Sequence, residues 1–448
     1  MKRFFIAVTV LSALAAPRAQ APHVYAITNA RIVTSAGAPI ENGTIVFRDG
    51  IIEQVGAGIT PPPAAHVYEG KGLTVYPGLI DMGNSAAVSI AAGSSTTPRT
   101  TEESERAKRD AMLRPHVRAA EHIALDAPAL KKLVAAGVTT VLAVPAGQVF
   151  RGQSALVNVA LPEDEPQIGS LADIRKGQPV IRTPVAVHVD VPENPAPRDA
   201  YPNSLMGVIA FIRQSFIDAQ YYSVAQERAA RSRSAGLRLA FDPALEALQP
   251  AVTGRVPVVY RADTVREIDR ALRMAADFKL DTILAGAREA DQLAPDLKSR
   301  GVRVIYSLHF PERLKSLAPD ADEPVRVLRE RANAPKAPAA LDKAGITFAF
   351  ESGGLEDPKD FVRNAAMSVK AGLPAEAAVR ALTINAATIA GAAHRVGSLE
   401  KGKIANVIVT DGDLFAEKTT IKHVFIDGRP VPIEVSGSES RRGRSTQP

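Results

Sequence analysis

Apolar and polar positions change texture twice along this chain. From Val24 they fall into short β-branched runs, Ala26–Val33, Gly43–Phe47 and Ile51–Gly56, broken by Asn-Gly and Asp-Gly turns. That is the signature of successive hairpins. The texture returns from Gly397 to Val409 and from His423 to Val431, with turns at Asp411-Gly412 and Asp427-Gly428. Two β segments flanking a long middle predict one small β-sandwich-like domain assembled from residues 22–78 and 396–435. The middle, residues 79–395, alternates strand and helix. Strand-like runs stand at Thr74–Met82, Gly137–Val144, Val185–Val189, Val256–Tyr260, Thr282–Ala285, Val302–Leu308 and Ile346–Phe350. Helical spacing separates several of them, as in Val265–Phe278, with Ile268, Leu272, Ala275 and Ala276 on one stripe, and in the longer Ser204–Ala230. Repeated apolar strands joined by helices predict a parallel sheet covered on both faces. These runs, with a hairpin-like segment around Phe150–Ala160, lead to a (β/α)8 barrel of the TIM type. An open doubly wound sheet is the alternative, but no Gly-x-Gly-x-x-Gly follows the first strand. Pro184 to Pro202, with Pro192, Pro195 and Pro197 inside it, reads as an irregular loop at one rim.

Composition fits a large soluble core: 448 residues, 46% hydrophobic and 23% charged. The N-terminus changes the picture. Lys2 and Arg3 precede an apolar run from Phe4 to Ala16, too short to cross a bilayer and followed by small residues. Residues 1–21 therefore read as an export signal, with a short membrane anchor as the alternative. Cleavage is open between Ala13-Leu14-Ala15 and Ala19-Gln20-Ala21, and Pro22 hinders the second. Removal of residues 1–21 takes away Lys2, Arg3 and Arg18, lowering the formal charge by three from +6 to +3. The rest of the basic excess includes Arg441, Arg442 and Arg444 in a tail, residues 436–448, expected to be disordered. No aromatic residues are interleaved with it, so no nucleic-acid surface is expected, and no membrane span remains after signal cleavage. The chain has no cysteine, which excludes disulfides, thiolate zinc sites and cysteine nucleophiles. A periplasmic or secreted location is expected.

Three blocks carry a family resemblance. They are Val75-Tyr76-Pro77-Gly78-Leu79-Ile80-Asp81-Met82, the run Gly397 to Val409 with Asp411-Gly412-Asp413, and Val424-Phe425-Ile426-Asp427-Gly428-Arg429. In this order and spacing the chain resembles the amidohydrolase superfamily, in particular its imidazolonepropionase-like members. The resemblance implies a metal-hydrolase barrel whose mouth holds one or two divalent ions, usually zinc. Such a metal acidifies a bound water and polarises an amide or ester carbonyl. The family pattern supplies His-x-His after the first strand, often a carboxylated Lys from strand four, one His each from strands five and six, and an Asp from strand eight.

This sequence departs from that pattern at each position that can be placed. The His-x-His slots hold Gly83 and Ser85, with Asn84 between them. Neither replaces an imidazole on zinc. Arg261 stands where the strand-five His is expected, Ile283–Ala287 has no His, Glu351 or Ser352 takes the place of the Asp, and Pro184–Asp190 has no Lys. No metal ligand and no cofactor is therefore expected. Of eight histidines, only His188 and His309 fall within or at the end of expected barrel strands; His116 and His122 read as helical and on different faces. Arg261 is expected to supply the positive charge that the metal would bring, with Glu351 as its counter-ion. Two unrelated rim charges are the alternative. Asn84, Ser85, Arg151, Gln153 and Ser352 are candidate pocket residues, and Asn158 joins Arg151 and Gln153 as a candidate from a segment that could equally be an edge hairpin that simply packs.

Three functional readings stay open. The first is a non-catalytic barrel that binds a ligand or pairs, as a homo- or hetero-oligomer, with an active relative. The second is an active hydrolase of carbon–nitrogen bonds with a relocated or metal-free site, using Glu351 as base and Arg261 or His309 to stabilise an oxyanion. The third is a periplasmic small-molecule binding protein.

Overall fold

The structure, a computed structural model, describes residues 24–90, 100–125, 128–159, 179–192, 201–231, 239–313, 316–318 and 320–433. The expected export signal and basic tail lie outside the described residues.

Both ends of the chain contribute to one mixed eight-stranded sheet. Its strands are β1 (Val24–Ile32), β2 (Ile40–Arg48), β3 (Ile51–Ala57), β4 (His66–Glu69) and β5 (Thr74–Pro77), then β16 (Val407–Thr410), β17 (Ile421–Ile426) and β18 (Arg429–Val431). The order is β18-β17-β16-β5-β1-β2-β3, with β4 also paired to β1. Alternating apolar residues from both ends, including Ile27, Ile45, Phe47, Val407, Val409 and Phe425, bury one another in a single cluster. Two Asp-Gly turns are used as the sequence predicts, whereas the Asn42-Gly43 pair expected as a turn lies inside β2. Asp49 and Gly50, and likewise Asp427 and Gly428, all have positive φ, the backbone that a tight hairpin demands. The two turns also abut: a Cβ on Gly428 would lie 2.8 Å from the Cα of Gly50.

The run expected as one strand, Thr74–Met82, divides at Gly78. There the backbone N–H donates to the Asn406 carbonyl at 2.8 Å, and an added Cβ would lie 2.2 Å from Thr139 Oγ1. Only glycine fits that pinch. Beyond it, β6 (Leu79–Asn84) joins a four-stranded sheet with β7 (Val138–Ala143), β9 (Ala155–Asn158) and β10 (Val180–Arg182), in the order β10-β9-β7-β6. A six-stranded sheet runs β15-β14-β13-β12-β11-β8. Its members are β8 (Phe150–Gln153), β11 (Val187–Asp190), β12 (Val258–Ala262), β13 (Thr282–Gly286), β14 (Arg303–Ser307) and β15 (Phe348–Glu351).

The β6–β7 pair and the whole run β11 to β15 are parallel, as expected. The segment Phe150–Asn158 departs from that rule. Its strands do not pair with each other as a hairpin; β8 runs antiparallel to β11, and β9 antiparallel to β7. Ser154 between them donates its N–H to the Ala186 carbonyl at 3.0 Å, so the chain steps from one sheet to the other at this point. One interior cluster then takes residues from both sheets, among them Ile80, Met82, Leu142, Leu156, Val259, Ile283, Ile305 and Ala349. The opposite faces of β12, β13, β14 and β15, through Tyr260, Leu284, Tyr306 and Phe350, pack into a second cluster with the helices.

The helix Val265–Phe278 has the bounds expected from its apolar stripe, and Ile268, Leu272 and Ala275 are buried. Thr264 and Glu267 form a capping box at its start. The longest helix, Leu205–Arg231, matches the other helical expectation to within a residue at each end. His116 and His122 are a correction. They do not lie on one helix but on either side of a short 3-10 turn, Ala119–Glu121.

Candidate functional site

Side chains alternate along a strand, so a residue two beyond a core residue faces the same way. The interior cluster includes Ala186, Val259, Ala285 and Ala349. Two residues past three of these stand His188, Arg261 and Glu351, and two past His188, at the carboxyl end of its strand, comes Asp190. These side chains line a cavity of about 170 Å³ together with Gly83, Asn84, Ser85, Arg151, Gly353 and Gly354. The site is thus an extension of the core pattern, with charged groups at the mouth where the apolar layers stop.

Its centre is an ion pair. Arg261 Nη2 donates to Glu351 Oε2 at 3.1 Å, and Nη1 lies 3.0 Å from Oε1. The carboxylate side chain is 1% exposed and the guanidinium side chain 35%. Burial pushes the Glu351 carboxyl above its ordinary range, and Arg261 opposes that push. Glu351 in turn raises the Arg261 guanidinium, which stays a cation. Beside this pair, Arg151 Nη1 contacts Asp190 Oδ2 at 3.3 Å while its Nε donates to the Pro145 carbonyl at 3.0 Å. In the sheet register Asp190 sits directly opposite Arg261. Burial also raises the Asp190 carboxyl, against the pull of both arginines.

His188 is buried, and its Nε2 has no hydrogen-bond partner. Burial, reinforced by Arg151 and Arg261, holds its pKa well below the usual imidazole value, so the ring is neutral near pH 7.

Gly83 explains why the pair can exist. A Cβ at this position would lie 2.2 Å from Glu351 Oε2 and 3.0 Å from Glu351 Cβ. The volume that the first residue of His-x-His would fill is occupied by the Glu351 side chain. Asp81, from the same block, is fully buried and ties the strand ends together. Its Oδ1 accepts from Ser352 N at 2.8 Å and Gly83 N at 3.2 Å, and its Oδ2 accepts from Asn84 Nδ2 at 3.1 Å.

The structure therefore brings together Arg261, Glu351, Asn84, Ser85 and Arg151 of the residues singled out in the sequence. It does not bring in the other four, His309, Gln153, Ser352 and Asn158. His309 is exposed, because β14 ends at Ser307 and Leu308 turns inward; its N–H donates to Ser307 Oγ at 3.2 Å, and it does not line the cavity. Gln153 is buried outside the mouth, donating from Nε2 to the Pro115 carbonyl at 3.0 Å. Ser352 faces Asp81, leaving the mouth to Glu351 and the two glycines after it. Asn158 lies lower in the fold, accepting from Asn406 Nδ2 at 2.8 Å. Asp190 is a residue that sequence reasoning left out, and His188 was placed on a barrel strand without being assigned to the site. Their alternation with Ala186 on an apolar strand was the available signal.

Zinc takes three or four converging nitrogen, oxygen or thiolate ligands. The cavity offers His188, Asp190 and Glu351 interleaved with two guanidinium groups, each already paired to one of the acids. Among the described residues no group of three or more His, Asp or Glu is placed to hold an ion. The donor set does not fit the metal that the fold family implies.

Residues 224–431 match the model of the amidohydrolase family. Over that stretch the chain resembles the family. Amidohydrolase tasK of Hapsidospora irregularis is 23% identical over 401 residues, which is 86% of this chain. The chain spans only 39% of the length of that relative. A solved amidohydrolase from Thermotoga maritima superposes with a TM-score of 0.73 at 23% identity, covering 91% of this chain and all of the other. A prolidase complexed with N-methylphosphonate-L-proline gives 0.55 at 16% identity, covering 92% of this chain and all of the other. Aspergillus niger ochratoxinase gives 0.51 at 16% identity, covering 91% and 95% of the two chains. At these identities the structural likeness speaks for a shared fold, one of mixed α and β content. Among the described residues no helix is long and apolar enough to cross a membrane.

Proposed function

We propose that this amidohydrolase-family chain has lost metal-dependent hydrolysis and uses its barrel mouth to bind a small polar molecule, alone or as the partner of an active relative. By descent the ancestral chemistry is hydrolysis of non-peptide carbon–nitrogen bonds. In this reading the two inner sheets are arcs of one (β/α)8 barrel, joined at the Ser154 crossing and at the Asp81–Ser352 contact, with the sheet from the chain ends as an accessory domain. The protein works without a cofactor, after export to the periplasm or beyond.

The observation that carries the reading is the Glu351 carboxylate, packed into the space before Gly83 and clamped by Arg261. Loss of a single ligand would weaken metal affinity. Here a complementary charge pair fills the vacated volume, and restoring histidine at residue 83 would require Glu351 to leave. The alternative of a metal-free hydrolase asks Glu351 to act as a base. Its side chain is 1% exposed and held against a cation, and His309, the proposed oxyanion partner, does not line the cavity. Both features weigh against that reading.

A direct test incubates the purified protein with a panel of amides, dipeptides and esters, with and without added zinc. Turnover no higher than the uncatalysed rate, with and without zinc, supports the proposal. Turnover that exceeds it overturns the proposal, and mass spectrometry of denatured protein would identify a retained ligand.

A further inference from the structure

A second cavity lies at the other end of the strands. It encloses about 650 Å³ and is lined by β10, by Thr183-Pro184, by Arg255-Val256 just ahead of β12, and by the loop Ala392–Arg395. Where the first cavity balances two cations against two acids, this one does not. Its polar lining is Arg182, Arg255, Arg395, His394 and Thr183, and no carboxylate of the described residues lines it. All three arginines are exposed, and among the described residues none forms an ion pair.

The guanidinium groups are held in place by neutral acceptors. Arg182 Nη1 donates to the Gly391 carbonyl at 2.6 Å, Arg395 Nη1 donates to the Ile181 carbonyl, and Arg255 Nε donates to Thr253 Oγ1 at 3.1 Å. The first two bonds cross between β10 and the loop at residues 391–395, lacing the two walls together. Gly391 has φ +68°, which favours glycine, and a Cβ there would also displace the Arg182 guanidinium, 2.7 Å from Cζ. Each guanidinium has five N–H groups and uses one in these bonds, so most of its donors stay available. Arg395 also acts on Asp427, whose carboxyl is raised by burial, with Asn158, Arg395 and Arg429 opposing that rise. That carboxyl does not neutralise three guanidinium groups.

We infer that this groove is a binding site for a small multivalent oxyanion, bearing phosphate groups or several carboxylates. Planar guanidinium forks match the paired oxygens of both groups, and three cations lining one groove select for more than one negative charge. The site is independent of the cavity around Arg261, which lies at the opposite ends of the same strands.

Titration calorimetry of the full protein at low ionic strength, with pyrophosphate in one arm and citrate in the other, tests the inference. The expected result is one saturable site per chain for at least one anion, weakening as salt is raised. Which arm binds tells phosphate from carboxylate chemistry. Arg255→Gln touches only its own turn and should weaken binding about tenfold or more, with a further loss on adding Arg182→Gln. Circular dichroism checks that the variants stay folded. The inference is overturned if neither anion saturates, if Arg255→Gln binds as the parent does, or if binding is lost on Arg261→Gln instead.

Discussion

Replacing Arg261 with methionine should cost stability in a way that depends on pH, and the direction follows from geometry. The substitution keeps much of the side-chain volume but leaves the Glu351 carboxylate, 1% exposed, without its cation. Removing one partner of a buried ion pair costs about 3–5 kcal/mol. Arg261 is itself 35% exposed, so water screens part of the attraction and the lower end applies, about 3 kcal/mol. Glu351 can escape that cost by taking up a proton. Burial already holds its folded-state pKa above the ordinary value, and loss of the guanidinium raises it further. A raised folded-state pKa contributes stability that is fully present below the unfolded carboxyl value and is lost as pH rises toward the folded value. The deficit against the parent should therefore be largest near pH 8 and shrink by about 1.4 kcal/mol for each unit below the new Glu351 pKa. Denaturant unfolding at pH 8 and pH 5 measures this. His188 is also relieved of a neighbouring cation, so the double variant Arg261→Met/Glu351→Gln is needed to isolate the carboxyl. It should recover most of the loss at pH 8. An equal deficit at both pH values, or a double variant no more stable than the single one, would refute the reasoning.

Gly83→Ala places a Cβ 2.2 Å from Glu351 Oε2 and should destabilise the protein by about 1–3 kcal/mol, read as a lower unfolding midpoint; unchanged stability would mean that the carboxylate moves aside freely. His188→Gln tests the buried neutral imidazole. Because the folded pKa is depressed, His188 contributes stability present above about pH 6.5 and lost as pH falls through lower values, so the variant should show a shallower decline below that pH, by up to 1.4 kcal/mol per unit. Asn406→Leu removes donors to Thr140 Oγ1 at 3.0 Å and Asn158 Oδ1 at 2.8 Å and the acceptor for Asp427 N, leaving buried groups unpaired. A loss of about 2–4 kcal/mol is expected, with the terminal sheet released before the inner sheets in hydrogen exchange.

Much of this arrangement was legible before any coordinates. Asp-Gly turns and β-branched alternation announced the terminal strands, and the two ends share one sheet because both are short apolar ribbons with a face to bury. The parallel strands read as continuous apolar runs, since both of their faces are covered. What escaped was the behaviour of Phe150–Asn158. Its residues look like a hairpin locally, but each strand finds a better partner at long range, and local periodicity carries no information about that choice. The Arg261–Glu351 pair could be anticipated because both occupy mouth positions of strands with recognisable spacing. Its dependence on Gly83 could not, since that is a through-space volume constraint between residues 268 positions apart. Gln153 and Ser352 misled for a related reason: each is polar and near the mouth in sequence, but Gln153 on β8 bonds the Pro115 carbonyl, and Ser352, just past β15, bonds Asp81 through its backbone N–H.

Metal content decides the central claim most directly. Protein purified without chelator should carry zinc or another transition metal well below one ion per chain after dialysis. Exhaustive chelation should leave its unfolding midpoint unchanged. One tightly held ion per chain, whose removal lowers that midpoint and abolishes hydrolysis of an amide or ester, would contradict an arginine–glutamate pair standing where the metal would be.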